Sequence, residues 1–170
     1  MTVTNVSVQP HNGPSGINGW LILPLIGLLF APFHYLLRFF SHLITYLTNN
    51  IWVTMIELDV SKGQQIFISV TIVVYSLILL LTAVISTILI FHFFKKKRTL
   101  PKHMILYYIA TAACKFVFGF AFVYISNLLY GVNHEERFEF AAVSMMSFIF
   151  TFIWANYFNE SQRVHNTFVH

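Results

Sequence analysis

From Trp20 to Leu37 the chain reads WLILPLIGLLFAPFHYLL without a charge, and three further long apolar runs follow. Gly63 to Phe94 is 32 residues with no Lys, Arg, Asp or Glu, about 48 Å if helical at 1.5 Å per residue. A helix needs roughly 20 mostly apolar residues to cross a bilayer. The pattern therefore predicts an all-α integral membrane four-helix bundle, with spans at about 20–40, 66–94, 104–130 and 138–158. Lys115 is the single charge in the third span, and Glu139 stands at one edge of the fourth with Trp154 and Tyr157 near the other.

Polar positions divide these runs. Residues 1–18 carry Pro10, Gly13, Pro14, Ser15 and Gly16 without apolar periodicity and read as a flexible tail. Pro32 cannot donate to the Leu28 carbonyl and is expected to bend the first helix. Beyond it His34, Arg38, Ser41, His42 and Thr45 recur at helical spacing opposite Phe33, Leu36, Leu37, Phe40, Ile44 and Leu47. That is the pattern of an amphipathic continuation leaving the hydrocarbon. Residues 48–65 read as a loop lying partly in the interface, 131–136 as a short loop, and 159–170 as a polar tail.

Composition agrees: 57% apolar, 18% aromatic and 9% charged residues, against about 25% charged in soluble domains. Four spans with short connections use most of the 170 residues. The net charge of +4 is concentrated, since Lys95, Lys96, Lys97, Arg98 and Lys102 are five of the ten Lys and Arg. Short basic loops beside spans stay cytoplasmic, which predicts both termini inside. The outer loops and the outer edge of the fourth span then hold five of the six acidic residues. A basic cluster confined to one loop points to anionic phospholipid headgroups and not to nucleic acid. Cys114 is the only cysteine, which leaves no intrachain disulfide and no CxxC site.

Three stretches carry a resemblance: Gly16-Ile17-Asn18-Gly19-Trp20-Leu21-Ile22-Leu23, Phe93-Phe94-Lys95-Lys96-Lys97-Arg98-Thr99-Leu100-Pro101, and Ile153 to Val164 followed by Thr167-Phe168-Val169. Together they resemble the domain of unknown function family 2569, from about residue 16 onwards. The resemblance implies a small four-helix protein of the bacterial inner membrane without an assigned activity. Where the family pattern commonly has Pro before the Tyr of the last motif, this chain has Asn156, and where a carboxylate often stands early in the second span it has Tyr75.

An ionisable residue inside a span is a functional-site hypothesis by default. Lys115 has no carboxylate within the spans, and by residue count Thr82, Ser86, Thr151 and Trp154 lie at similar depth. The alternatives are a site for an anionic headgroup or small anion, or a lysine snorkelling to the interface. The His34, Arg38 and His42 stripe has the same two readings, ligand site or polar helix face. No set of three or four converging ligands suggests a metal, no cofactor is implied, and no nucleophile elbow, phosphate loop or His-Glu zinc helix occurs. The expectation is a non-enzymatic accessory protein binding lipid or a partner, with self-association or a second membrane protein as the further contacts. The rival is a homo-oligomeric transport or channel component built around Lys115. Small-residue spacings such as Gly27-x-x-x-Ala31 and Ser147-x-x-x-Thr151 suit close helix packing. Reporter fusions at Thr99 and His134 are expected to read opposite sides of the membrane, and the same side from both would break the topology.

Overall fold

A computed structural model describes residues 15–48, 51–130 and 134–169, apart from the side chains of 130 and 134–141. A single 3-10 turn, Gly19–Leu21, leads into α1 (Ile22–Thr48), followed by α2 (Ile51–Glu57), α3 (Lys62–Phe94), α4 (Leu100–Tyr130), α5 (His134–Glu160) and α6 (Gln162–Thr167). No strand occurs among the described residues. Gly19–Thr48, Lys62–Phe94 and Leu100–Leu129 are long and apolar enough to cross a membrane. Only 17%, 28% and 11% of their most apolar windows are buried by the protein itself. Surface this apolar and this exposed requires lipid as its solvent, so the chain is a membrane protein.

Local chemistry sets the helix ends. Ser61 caps α3 with a capping box: the Gln64 amide donates to Ser61 Oγ at 3.4 Å and the Ser61 amide donates to Gln64 Oε1 at 3.3 Å. Lys95 closes α3, Lys96 turns the chain at φ 50°, and Pro101 sits in the first turn of α4, where its missing N–H costs nothing. Within α3, Ser69, Ser76 and Thr82 donate to the carbonyls four residues back, at 2.7, 2.9 and 2.7 Å. These bonds satisfy their hydroxyls inside an apolar helix.

The helices are arranged as two pairs. α1 lies along α3 and α4 along α5, while a thinner α3–α4 contact joins the pairs. Two apolar clusters close the ends. At the basic end Leu21, Leu28, Leu89, Phe93, Leu100, Met104, Phe158, Val164 and Phe168 pack together, with Phe93 and Phe168 edge to face at 5.2 Å. At the other end α2 contributes Ile51 and Met55 to a cluster with Val60, Ile68, Ile72, Ile125 and Leu129.

Several boundaries differ from the sequence reading. α1 runs through Pro32 to Thr48, so the continuation expected beyond the first span belongs to the same helix. The region expected to be an interfacial loop contains α2, held by its two buried apolar residues. His134, Glu135 and Glu136 form the start of α5; the rest of that predicted loop, residues 131–133, lies outside the described residues, as does most of the predicted N-terminal tail.

The C-terminal segment is docked. α6 buries Val164 and Thr167, and Phe168 is 3% exposed. The Gly16 amide donates to Thr167 Oγ1 at 2.9 Å, and that hydroxyl donates back to the Gly16 carbonyl at 3.3 Å. Gly16 and Gly19 hold φ of +90° and +60°, which a side chain rarely tolerates. Both glycines lie where the first described residues meet the C-terminal segment. Phe168→Ala is expected to cost about 3 to 5 kcal/mol, read as reversible unfolding in mixed micelles. Phe152→Ala, at an outward position 71% exposed, should cost less than about 1 kcal/mol.

Candidate functional site

The weakly joined seam between the two helix pairs contains two adjoining cavities, of about 390 and 320 Å3. Both are lined by His34 and Tyr35 of α1 and by Thr111 and Lys115 of α4. The spacing explains the shared lining. His34 and Arg38 are four residues apart on α1, as Thr111 and Lys115 are on α4, so each pair stands on one helix face. The first cavity adds Tyr107, Tyr108, Thr151 and Trp154, the second Arg38, Tyr75, Thr82 and Ser144.

Of the residues singled out from the sequence, Lys115, Thr151, Trp154 and Thr82 are brought to these cavities. Ser86 is not. It is fully buried on α3 with its hydroxyl donating to the Ala83 carbonyl at 2.9 Å. Its oxygen also lies within reach of the Tyr107 hydroxyl, which in turn is within reach of Tyr35. Thr82 and Thr111 spend their hydroxyl hydrogens on backbone carbonyls, and Thr151 donates to the Tyr108 carbonyl at 3.4 Å across the α4–α5 contact.

The Arg38 and His34 stripe belongs to the same place as Lys115. By helix rise Arg38 lies about 24 Å from the start of α1 and Lys115 about 22 Å from the start of α4, near the middle of each helix. The Arg38 charge acts on both His34 and Lys115. Among the described residues neither lining contains Asp or Glu. Among the described residues Arg38 and Lys115 have no hydrogen-bond or ion-pair partner. The sequence signal for this meeting was the absence of any acid in 19–48, 62–94 and 100–130. What it lacked was which helix faces which. His42 stands one turn beyond, against Tyr46, Tyr75 and Phe122, and is part of an aromatic stack.

A second concavity, about 1240 Å3, lies at the basic end between the α3–α4 turn and α6. Arg98 and Lys102 line it from one side, and Asn159, Gln162, His165 and Asn166 from the other. His165 Nε2 is 2.9 Å from the Asn159 carbonyl oxygen, which fixes its ring. Lys95, Lys96 and Lys97 are exposed beside the cleft and not part of its lining. No group of three or more His, Cys, Asp or Glu converges among the described residues.

A family model described as Protein of unknown function (DUF2569) matches residues 14–169. The chain belongs to the DUF2569 family. No curated protein and no solved structure matches it. In this DUF2569 chain the three stretches that carried the resemblance meet in one place. Leu21 comes from the first, Phe93 and Leu100 from the second, Phe158, Val164 and Phe168 from the third, and all six share the basic-end cluster. The stretch that matches begins and ends next to the Gly16–Thr167 clasp.

Placing Ser86 in the packing, and outside the cavities, has a measurable consequence. Ser86→Ala is expected to destabilise the protein by about 1 kcal/mol, and a double-mutant cycle should show that loss shrinking when Tyr107 is already Phe.

Proposed function

We propose that this DUF2569 protein is a four-span, non-enzymatic protein of the bacterial inner membrane, with both ends cytoplasmic, that binds anionic phospholipid headgroups at its basic end. The observation that carries this reading is the cleft beside the α3–α4 turn, where Arg98, Lys102 and His165 share a lining with several amide side chains and, among the described residues, no carboxylate. Arg and Lys supply charge, and the amides of Asn159, Gln162 and Asn166 supply further donors suited to phosphate oxygens. Lys95, Lys96 and Lys97 add attraction over a Debye length, about 8 Å at physiological salt. The fourth span is α5, 27 residues long, enough for roughly 40 Å of helix.

The transport reading is weaker for a single chain. A pore through the bundle needs a polar path from end to end, whereas apolar clusters fill the helix packing at both ends. A pore between copies of the chain would instead need the outward faces, which carry Phe, Leu, Ile and Val at most exposed positions.

Replacing Arg98 and Lys102 by Glu is expected to reduce co-purified phosphatidylglycerol and cardiolipin several-fold, as read by lipid mass spectrometry of the gently extracted protein. Replacing Lys95, Lys96 and Lys97 should reduce it less, with a steeper dependence on salt. Unchanged lipid content in the Arg98 and Lys102 variant would defeat the assignment.

A further inference from the structure

We infer that the seam between α1 and the α4–α5 pair is a second, separate anion site at mid-membrane depth, in which Arg38 and Lys115 hold a phosphate or carboxylate group. Two cations share one cavity lining, and among the described residues neither has a protein acceptor and no carboxylate lines the space. Like charges lining one cavity repel, and more strongly where water is scarce. An arrangement that brings them together without a counter-ion is explained by a ligand that supplies one. The second cavity measures about 320 Å3 and continues into the first, ample for a phosphate and the first atoms of whatever carries it.

The walls indicate how the rest of that molecule is accommodated. Tyr75 and Ser144 present hydroxyls beside the cations, while Phe118, Phe122 and Trp154 offer apolar faces. His34 and Lys115 remain exposed at the seam although they stand near mid-helix. At that depth an open seam faces acyl chains, and both ends of the bundle are closed by apolar clusters. Entry is therefore sideways, which suits an anionic group attached to an alkyl chain. A free anion of the same chemistry would meet the same two cations, so the experiment has to separate the two sources.

The test uses the full chain in phosphatidylcholine nanodiscs. Trp20 and Trp52, both exposed, are changed to Phe, so that Trp154 in the cavity wall is the sole tryptophan reporter. Dodecyl phosphate and inorganic phosphate are titrated separately. A saturable change in Trp154 emission is expected with dodecyl phosphate, weakened at least about tenfold in Arg38→Met and in Lys115→Met and retained in Lys115→Arg. Replacing Arg98 and Lys102 by Glu should leave it unchanged, which separates this site from the lipid cleft. The same variant-sensitive response to inorganic phosphate at equal concentration would also establish the site and assign it to a free anion.

Folding is checked by gel filtration and helical circular dichroism. The Met variants should unfold at a higher temperature than the parent without ligand, since each removes an uncompensated charge, while losing the ligand-induced rise in unfolding temperature. A site needed only for packing would lose stability in those variants. The proposal is overturned if neither probe gives a response that depends on Arg38 and Lys115, or if the lipid-cleft substitutions abolish it. It is also overturned if binding appears only in Glu139→Gln, because Glu139, the carboxylate nearest in sequence to Ser144, would then be the internal counter-ion.

Discussion

Lipid cannot hydrogen-bond a backbone, and this constraint governs the whole molecule. Helices long enough to satisfy every amide internally are the solution the chain adopts, and their side chains point outward to a degree no water-soluble protein would tolerate. Hydroxyls within α3 turn back onto their own carbonyls. Apolar burial cannot then hold helices together at mid-membrane, because lipid is as apolar as a neighbouring side chain. The two apolar clusters accordingly sit at the ends, where short segments fold over the bundle.

The basic-end cluster draws on stretches that are spread along the sequence. Leu21 precedes α1, Phe93 is in the last turn of α3, Leu100 opens α4, Phe158 is in the last turn of α5, and Phe168 follows α6. Each lies within one turn of an element end, so one cluster gathers an end of every long helix. The Gly16–Thr167 exchange ties both described termini to it. This packing also shapes the cleft: α6 could not face Arg98 and Lys102 unless Val164 and Phe168 were anchored.

Periodicity and charge made the helices legible, since a run of 32 residues without a charge has few other meanings. The docking of the ends was not. Residues 159–169 look polar because only Val164, Thr167 and Phe168 are buried, too few to form a helical stripe. α2 was hidden for the same reason, with Ile51 and Met55 its sole buried positions. Depth counting put Lys115 with Thr82, Ser86, Thr151 and Trp154; four of these line the cavities, whereas Ser86 is fully buried in the packing. Depth can be counted from sequence, whereas azimuth depends on partners. Arg38 shows the cost: read along α1 alone it marks a polar helix face, and only the position of α4 turns it into a neighbour of Lys115.

The division into helix pairs brings these observations together. α1 with α3 and α4 with α5 are each closely packed, whereas the pairs touch mainly through α3 and α4. A bundle with four equal contacts would close over Arg38 and Lys115, and a pair of cations with no partner among the described residues would then be untenable. Because the α1 side of the seam is left thin, the cations keep an opening, and the tyrosines and Trp154 that border it can accommodate a chain as well as a headgroup. Strong pairing and a weak join are therefore two aspects of one arrangement, in which the clusters at the ends supply the stability that the seam gives up.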